Sequence, residues 1–237
     1  MITSLDNKTV KELRKLHQKK YRDEAFLLLQ EELVYEARDK GYLTKLVYTG
    51  EAPFEHADML EVSQEVLNKI ADREGLSFLG VSGKIKEKQA CGDRIIMLDH
   101  LQDPLNIGKI MEAAQLFGFS SLVLSENCAD IYNEKCLALC KAGIYKLEIS
   151  TADLLAETRR LQANGYKVYA TGLSNDTIEM HELEAQDKMA FILGNEGSGV
   201  DKKLMTAADE TVKIDMRNID SLNVAMAASI IMYRFRI

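Results

Sequence analysis

The C-terminal part of the sequence contains two apolar strands that each end in a loop of small and polar residues. The first strand, 190–193, leads into the segment 194–199, which reads GNEGSG and carries three glycines. The second strand, 211–216, leads through the polar loop 217–220 into an apolar helix that opens at Ser221. In open α/β sheets, ligands bind beyond the carboxyl ends of strands, at loops of this kind. The pattern therefore predicts one pocket at which both loops meet.

The side chains of these two loops suit a polar reaction. The glycines of 194–199 let backbone approach a ligand closely, and Glu196 adds a carboxylate. Ser221 can cap the last helix, and Asn223 would then lie in its first turn. Backbone amides, a carboxylate, a hydroxyl and a carboxamide would together line a pocket for a nucleoside-type ligand.

Three sequence motifs resemble those of the TrmH-like (SpoU) RNA 2′-O-ribose methyltransferases of the SPOUT superfamily. They are the segments 103–108 (DPLNIG), 194–197 (GNEG) and 221–224 (SLNV). Their order and spacing match the family pattern. The resemblance covers residues 93–237 well and the N-terminal part more loosely.

The fold follows in part from the residues and in part from this resemblance. Strand–helix alternation from Arg94 onward predicts an α/β domain with a parallel sheet and helices on both faces. The resemblance adds a deep trefoil knot and a homodimer formed through the C-terminal domain. It also implies S-adenosyl-L-methionine as cofactor, no metal, and 2′-O-ribose methylation of structured RNA, with rRNA favoured over tRNA.

The resemblance implies roles for particular residues. The expected catalytic residues are Asn106, Glu196, Ser221 and Asn223. The cofactor is expected to bind, largely through backbone groups, at Thr171, Gly172, Gly194, Ile214, Met216 and Leu222. From the residues alone, Asn106 is equally suited to stabilising a loop. For Glu196 the alternative role is capping the helix after Gly199, although a carboxylate between glycines favours a functional role.

The sequence departs from the family pattern in three places. One is the segment 140–143, which reads CKAG where relatives tend to carry Ser-x-Gly-Ala. Relatives usually carry an arginine after the position of Met111, thought to activate the ribose hydroxyl or hold its phosphate, whereas this chain has Glu112. Relatives also have a proline where this chain has Asp215. Lys109 or Arg217 could replace the missing base. The alternative is a catalytically impaired family member that acts as an RNA-binding or ribosome-assembly protein. A dinucleotide-binding enzyme is disfavoured because no G-x-G-x-x-G follows a first strand.

The N-terminal part alternates helices with short strands. We expect a small α/β domain over 1–82, similar to the L30e-like RNA substrate-binding domain, a lysine-rich linker over 83–92, and the methyltransferase domain over 93–237. An amphipathic helix is predicted over 9–22. Residues 1–22 hold seven basic and two acidic residues, a local charge of +5. The RNA-binding candidates on this helix are Lys11, Lys15 and Lys19; the alternative is a solvated helix face.

Charge and composition limit the remaining possibilities. A net charge of −7 over 237 residues argues against non-specific nucleic-acid binding by the whole molecule. No apolar run is long enough to span a bilayer, and no secretory signal is visible. The four cysteines form no C-x-x-C pair, and Cys136 and Cys140 have no histidine near them. Reduced thiols in a cytoplasmic protein are therefore expected.

Overall fold

The computed structural model describes residues 1–173, 177–216 and 222–237, and these form two compact units. The first unit comprises Met1–Lys86 and Asp130–Tyr145, and the second comprises Glu87–Ala129 and Lys146–Ile237. The segment Asp130–Tyr145 thus interrupts the second unit in sequence. The division predicted from the sequence, into 1–82, 83–92 and 93–237, differs from these two units because it assigns the segment Asp130–Tyr145 to the C-terminal domain.

The first unit is built on a four-stranded sheet. Its regular elements before residue 87 are α1 (Lys8–Lys15), β1 (Ala25–Leu28), α2 (Glu31–Asp39), β2 (Leu43–Tyr48), β3 (Met59–Glu61), α3 (Gln64–Ala71) and β4 (Phe78–Gly83). The strand order is β1-β4-β2-β3, with β4 antiparallel to both neighbours and β3 parallel to β2. Apolar side chains of α1 and α3, including Val10, Val66, Leu67 and Ile70, pack in one core with Leu79 of β4.

The remaining elements belong mainly to the second unit. In chain order they are β5 (Arg94–Leu98), α4 (Pro104–Phe117), β6 (Ser121–Leu124), α5 (Glu134–Leu137), α6 (Gly143–Lys146), β7 (Glu148–Thr151), α7 (Leu154–Ala163), β8 (Lys167–Thr171), β9 (Ile178–Glu179), β10 (Met189–Leu193), α8 (Lys202–Ala207), β11 (Glu210–Lys213) and α9 (Val224–Arg234). Of these, α5 and most of α6 lie in the segment that packs with the first unit.

A parallel sheet forms the second unit, as the strand–helix alternation predicts. Within the described residues it has seven strands in the order β7-β6-β5-β10-β8-β11-β9, and every pairing is parallel. Strand β10 is buried along its whole length, which suits a central strand covered on both faces. Phe191 stacks between Tyr169 and Phe235, with ring centroids 5.3 and 5.1 Å away. Because β8 lies between β10 and β11 and runs parallel to both, the carboxyl ends of these three strands lie side by side at the same end of the sheet.

The helix predicted over 9–22 is shorter in the structure. Helix α1 ends at Lys15, and a separate 3-10 turn covers Lys19–Tyr21. The guanidinium of Arg22 donates hydrogen bonds of 2.9 Å to the carbonyl oxygens of Leu16 and His17, so these groups find partners outside a helix. Lys19 therefore does not continue the helix that carries Lys11 and Lys15.

The start of the last helix is also corrected. Asn223 lies outside the first turn and is the N-cap of α9, since its Oδ1 accepts hydrogen bonds from the backbone nitrogens of Ala225 (3.0 Å) and Met226 (3.3 Å). Ser221, which the sequence suggested as the cap, lies outside the described residues. The strand predicted over 211–216 ends at Lys213, so Ile214–Met216 leave the sheet as a loop.

The cysteines of the first unit are buried. Burial raises the pKa of the Cys136 thiol and the Cys140 thiol, so both pack as neutral groups. Across residues 1–173, 177–216 and 222–237, no helix combines the length and apolar character needed to cross a membrane.

Candidate active site

A cavity of about 370 Å³ lies at the carboxyl ends of β8, β10 and β11, within the second unit. Its wall is formed by the end of β8, the loop 194–199, the segment after β11 and the first turns of α9. The six residues predicted to bind a cofactor all line it: Thr171, Gly172, Gly194, Ile214, Met216 and Leu222. The glycine loop and the described residues on either side of the second loop, Met216 and Leu222, therefore line one pocket, which the end of β8 completes.

The loop 194–199 closes on itself. Asn195 and Gly199 exchange two backbone hydrogen bonds of 3.2 and 2.9 Å, and the Asn195 side-chain oxygen accepts a third from the backbone nitrogen of Gly197 (2.8 Å). A Cβ added at Gly194 would collide with the backbone of Gly199 and Val200. The requirement for glycine at position 194 therefore comes from the loop's own backbone, before any ligand is considered.

The buried carboxylate of Asp99 supports this loop through hydrogen bonds. Asp99 follows β5 and accepts a hydrogen bond of 2.8 Å from the backbone nitrogen of Asp201, while its other oxygen contacts Nδ1 of His100. The carbonyl oxygen of His100 in turn accepts from Nδ2 of Asn195 (2.9 Å). Sequence reasoning missed the supporting roles of Asp99 and Asn195. An acidic residue directly after a buried strand was the available signal.

Three of the four predicted catalytic residues form one hydrogen-bonded chain. Nδ2 of Asn223 donates to Oδ1 of Asn106 (3.1 Å), and Nδ2 of Asn106 donates to Oε1 of Glu196 (2.6 Å). Because Oδ1 of Asn223 is engaged in capping α9, the orientation of its amide is set, and that of Asn106 follows from it. The fourth predicted residue, Ser221, lies outside the described residues.

The structural roles that competed for Glu196 and Asn106 are filled by other residues. Asp201 caps α8 by accepting a hydrogen bond of 2.7 Å from the backbone nitrogen of Lys203, so Glu196 does not cap that helix. Asp103 caps α4 in the same way. Asn106 is only 4% exposed and aims its amide at the carboxylate of an exposed loop residue. The arrangement leaves a carboxylate held in place at the rim of the cavity.

Of the residues that depart from the family pattern, Glu112 lies on α4, and Asp215 lies in the loop after β11. Glu112 is half-buried and is not among the residues that line the cavity. It follows Leu105 by seven positions and precedes Leu116 by four, so it shares with them one face of the helix. Lys109 is exposed on the same face, and Arg217 lies outside the described residues.

One group of side chains has the donor types of a metal site. Ligand atoms of Glu179, His181 and Asp215 lie within 4.8 Å of one another at the sheet edge formed by β9 and β11. The ammonium group of Lys213 is 3.6 Å from a carboxylate oxygen of Glu179 and neutralises part of the negative charge there. His181 itself contacts the other oxygen of Glu179 at 3.3 Å.

The parallel sheet and the glycine-closed loop fit the class of protein that the three motifs indicated, a SpoU-type methyltransferase. Residues 93–233 match the SpoU rRNA Methylase family, and residues 7–75 match the MRM3-like substrate binding domain. The chain belongs to the SpoU rRNA methylase family, which confirms the resemblance seen in the three motifs.

Individual relatives agree with this assignment over the whole chain. The 23S rRNA (guanosine(2553)-2′-O)-methyltransferase RlmP of Bacillus subtilis is 30% identical over 245 residues, covering 99% of this chain and 98% of the relative. The AdoMet-bound rRNA methyltransferase from Sinorhizobium meliloti is 26% identical, with a TM-score of 0.89 and coverage of 98% and 95%. A TrmH-family protein from Porphyromonas gingivalis has the same fold, with a TM-score of 0.87, 23% identity and 98% coverage of both chains.

Proposed function

We propose that this protein is an S-adenosyl-L-methionine-dependent methyltransferase that acts on a ribose 2′-hydroxyl of structured RNA, with rRNA favoured over tRNA. The observation that carries the proposal is the chain Asn223–Asn106–Glu196, which fixes a carboxylate beside the cavity. Family membership and the similarity to RlmP, a protein named for 2′-O-methylation of 23S rRNA, support the reaction and the substrate class.

The cavity suits an adenosine-type ligand with a sulfonium group. Its lining combines backbone groups of the glycine loop with apolar side chains such as Leu193, Met205 and Val212. The exposed carboxylate of Glu196 adds a negative charge that complements a sulfonium cation. When bound, the cofactor supplies a methyl group on positively charged sulfur. In this chain the backbone at Gly194, Ile214 and Leu222 would hold it.

The polar residues are proposed to position the hydroxyl and take up its proton. Methyl transfer requires the hydroxyl oxygen in line with the methyl carbon and a route for the proton that leaves. Glu196 offers a second carboxylate oxygen that has no hydrogen-bond partner among the described residues. Asn106 holds that carboxylate in place, and Asn223 holds Asn106. Glu196 is the proposed proton acceptor, and Ser221 remains a catalytic candidate from the family pattern.

A homodimer is proposed to form through α4 and α9. These helices pack together within the second unit, with the rings of Phe117 and Tyr233 5.7 Å apart. Their outer faces carry large apolar side chains that remain exposed: Leu116 at 71%, Met226 at 56% and Tyr233 at 58%. On α9 the exposed apolar residues are Met226, Ile230 and Tyr233. Their spacings of four and three place them in a continuous stripe along one face of the helix. A second copy that covered this stripe would remove it from water.

The first unit is proposed to select the RNA, in line with its match to a substrate-binding domain. Lys11, Lys15 and Lys19 are the proposed phosphate contacts, and all three are exposed. The trefoil knot of the second unit and a cytoplasmic location are further proposals that follow from the family and from its rRNA-directed relatives.

The proposal is tested by incubating the purified protein with methyl-labelled S-adenosyl-L-methionine and four RNA samples. These are tRNA, protein-free rRNA, and the two ribosomal subunits from cells that lack the gene. We expect label in one rRNA species, mapped by mass spectrometry to a single 2′-O-methyl group. If no RNA is labelled although calorimetry shows cofactor binding, the protein is the impaired, RNA-binding family member instead.

A further inference from the structure

Tyr21 places an exposed aromatic ring among uncompensated positive charges of the first unit. The residue is 41% exposed, and the ammonium groups of Lys15 and Lys20 lie over its ring in cation–π contact, 5.5 and 4.9 Å from the ring centre. Within the described chain, no carboxylate lies within 4.0 Å of the ammonium groups of Lys15, Lys19 or Lys20. Lys11 differs, because it is paired with Asp6 at 2.9 Å.

The backbone beside this ring is held by a buried ion pair. The next residue, Arg22, is only 5% exposed and donates hydrogen bonds of 2.9 and 2.7 Å to Oδ2 of Asp130. The same guanidinium bonds the carbonyl oxygens of Leu16 and His17, which fixes the loop between α1 and the 3-10 turn. The ring is thus presented from an ordered turn, so less conformational entropy is lost when a ligand covers it.

The chemistry of this surface fits an unpaired nucleotide. An aromatic face stacks on a nucleic-acid base of any sequence. A base that stacks on Tyr21 would displace the exposed, flexible lysine side chains from the ring face, and their ammonium groups would then pair with the adjoining phosphates. Bases inside a continuous duplex do not expose their faces, so double-stranded RNA cannot use the ring. Asp23 and Glu24 are exposed on the C-terminal side of the turn and repel phosphate, which directs the strand toward the lysines.

We propose that Tyr21 is a stacking platform for an unpaired base of the RNA substrate, with Lys15 and Lys20 contacting phosphates on either side of that base. This inference rests on the proposed function, since it assigns part of the substrate recognition. It narrows the substrate to RNA with a single-stranded segment that contacts the first unit.

The chain offers a direct probe, because it contains no tryptophan. The variant Tyr21→Trp would carry the single indole of the protein at the proposed platform. Titration of this variant with a single-stranded RNA oligonucleotide is expected to quench its fluorescence, because a stacked base quenches indole. The duplex formed with the complementary strand is expected to leave the emission unchanged. RNA binding by this variant without any quenching would overturn the inference.

Measurements of RNA affinity on variants without the tryptophan probe provide the second test. Tyr21→Ala is expected to weaken binding of the single strand by about 5- to 150-fold, whereas Tyr21→Phe retains the wild-type affinity. Lys15→Ala and Lys20→Ala are each expected to lower the salt dependence by about 0.7 of a counterion, a change that Tyr21→Ala does not produce. Lys40→Ala, at an exposed lysine of the same unit, is the matched control.

Two readouts separate this inference from the proposed function. Thermal melting and cofactor affinity of Tyr21→Ala should equal those of the wild type. Methylation that proceeds in Tyr21→Ala with unchanged RNA affinity would refute the platform alone. Tyr21-dependent RNA binding in a protein that methylates no RNA would refute the enzyme and keep the platform.

Discussion

The hydrogen bond between Asn106 and Glu196 joins two residues that lie 90 positions apart in the chain. Asn106 is in the first turn of α4, and Glu196 is in the loop after β10. Because the other end of the Asn106 amide accepts a hydrogen bond from Asn223, the carboxylate is ultimately oriented by the cap of α9. The N-terminus of α9 is therefore coupled to the catalytic candidate Glu196 through the side-chain amides of Asn223 and Asn106.

The variant Asn223→Asp separates these two roles. Aspartate caps a helix as well as asparagine does, so thermal stability should stay near that of the wild type. It cannot donate to Asn106, whose amide is then free to turn toward the new carboxylate and away from Glu196. We expect the single-turnover methylation rate to fall about tenfold or more, with cofactor affinity little changed.

The matched control for this variant is Asn133→Asp, at the cap of α5 in the first unit. It makes the same chemical change at a helix terminus and should leave the rate unaltered. Wild-type activity in Asn223→Asp would show that the orientation of Glu196 does not depend on the amide chain.

A second prediction concerns the glycine loop. In Gly194→Ala, the new methyl group meets the backbone of Gly199 and Val200, so the loop has to open. We expect at least a tenfold loss of affinity for S-adenosyl-L-methionine in calorimetry. In Gly197→Ala, the methyl group would approach only Oδ1 of Asn195, at 3.4 Å, and binding should be nearly unaffected. Equal affinities of the two variants would remove the loop from the cofactor site.

Much of this site could be predicted from the sequence. Apolar runs of four or five residues followed by glycine or polar residues predict buried strands with loops at their carboxyl ends, and β10 with its loop fits that pattern. The parallel order of the sheet then brings the loops together. The pairing of Asn106 with Glu196 could not be predicted, because it depends on the register of α4 against β10.

The sequence placed two helix ends wrongly, the start of α9 and the end of α1, and local sequence was insufficient in both cases. Serine and asparagine cap helices about equally well, so local sequence could not choose between Ser221 and Asn223 as the start of α9. The end of α1 is fixed by Arg22, whose partner Asp130 lies 108 residues further along the chain. Asp130 belongs to the segment that packs with the first unit, a tertiary arrangement that no local pattern encodes.

The proposed dimer gives a third prediction. Leu116→Glu and Tyr233→Glu each place a charge on the exposed apolar face of α4 and α9, where a second copy would have to desolvate it. We expect both variants to sediment as monomers while the wild type sediments as a dimer. Gln18→Glu adds a charge at an exposed position of the first unit and should leave the dimer intact. A wild-type monomer at all accessible concentrations would contradict the proposal.

The last prediction concerns Lys109. Lys109 and Arg217 are the two candidates to replace the arginine that relatives usually have at the position of Glu112, and only Lys109 lies within the described residues. Lys109 is exposed on the same face of α4, three positions before the carboxylate. If it holds an RNA phosphate, Lys109→Ala should raise the RNA concentration needed for half-maximal single-turnover methylation, and Glu112→Arg should lower it, because the carboxylate repels phosphate. Lys202→Ala, at an exposed lysine of α8, is the control and should behave like the wild type. An unchanged RNA requirement in Lys109→Ala would exclude this lysine and leave Arg217 as the candidate. A wild type that methylates no RNA, together with activity gained by Glu112→Arg, would identify Glu112 as the cause of an impaired enzyme.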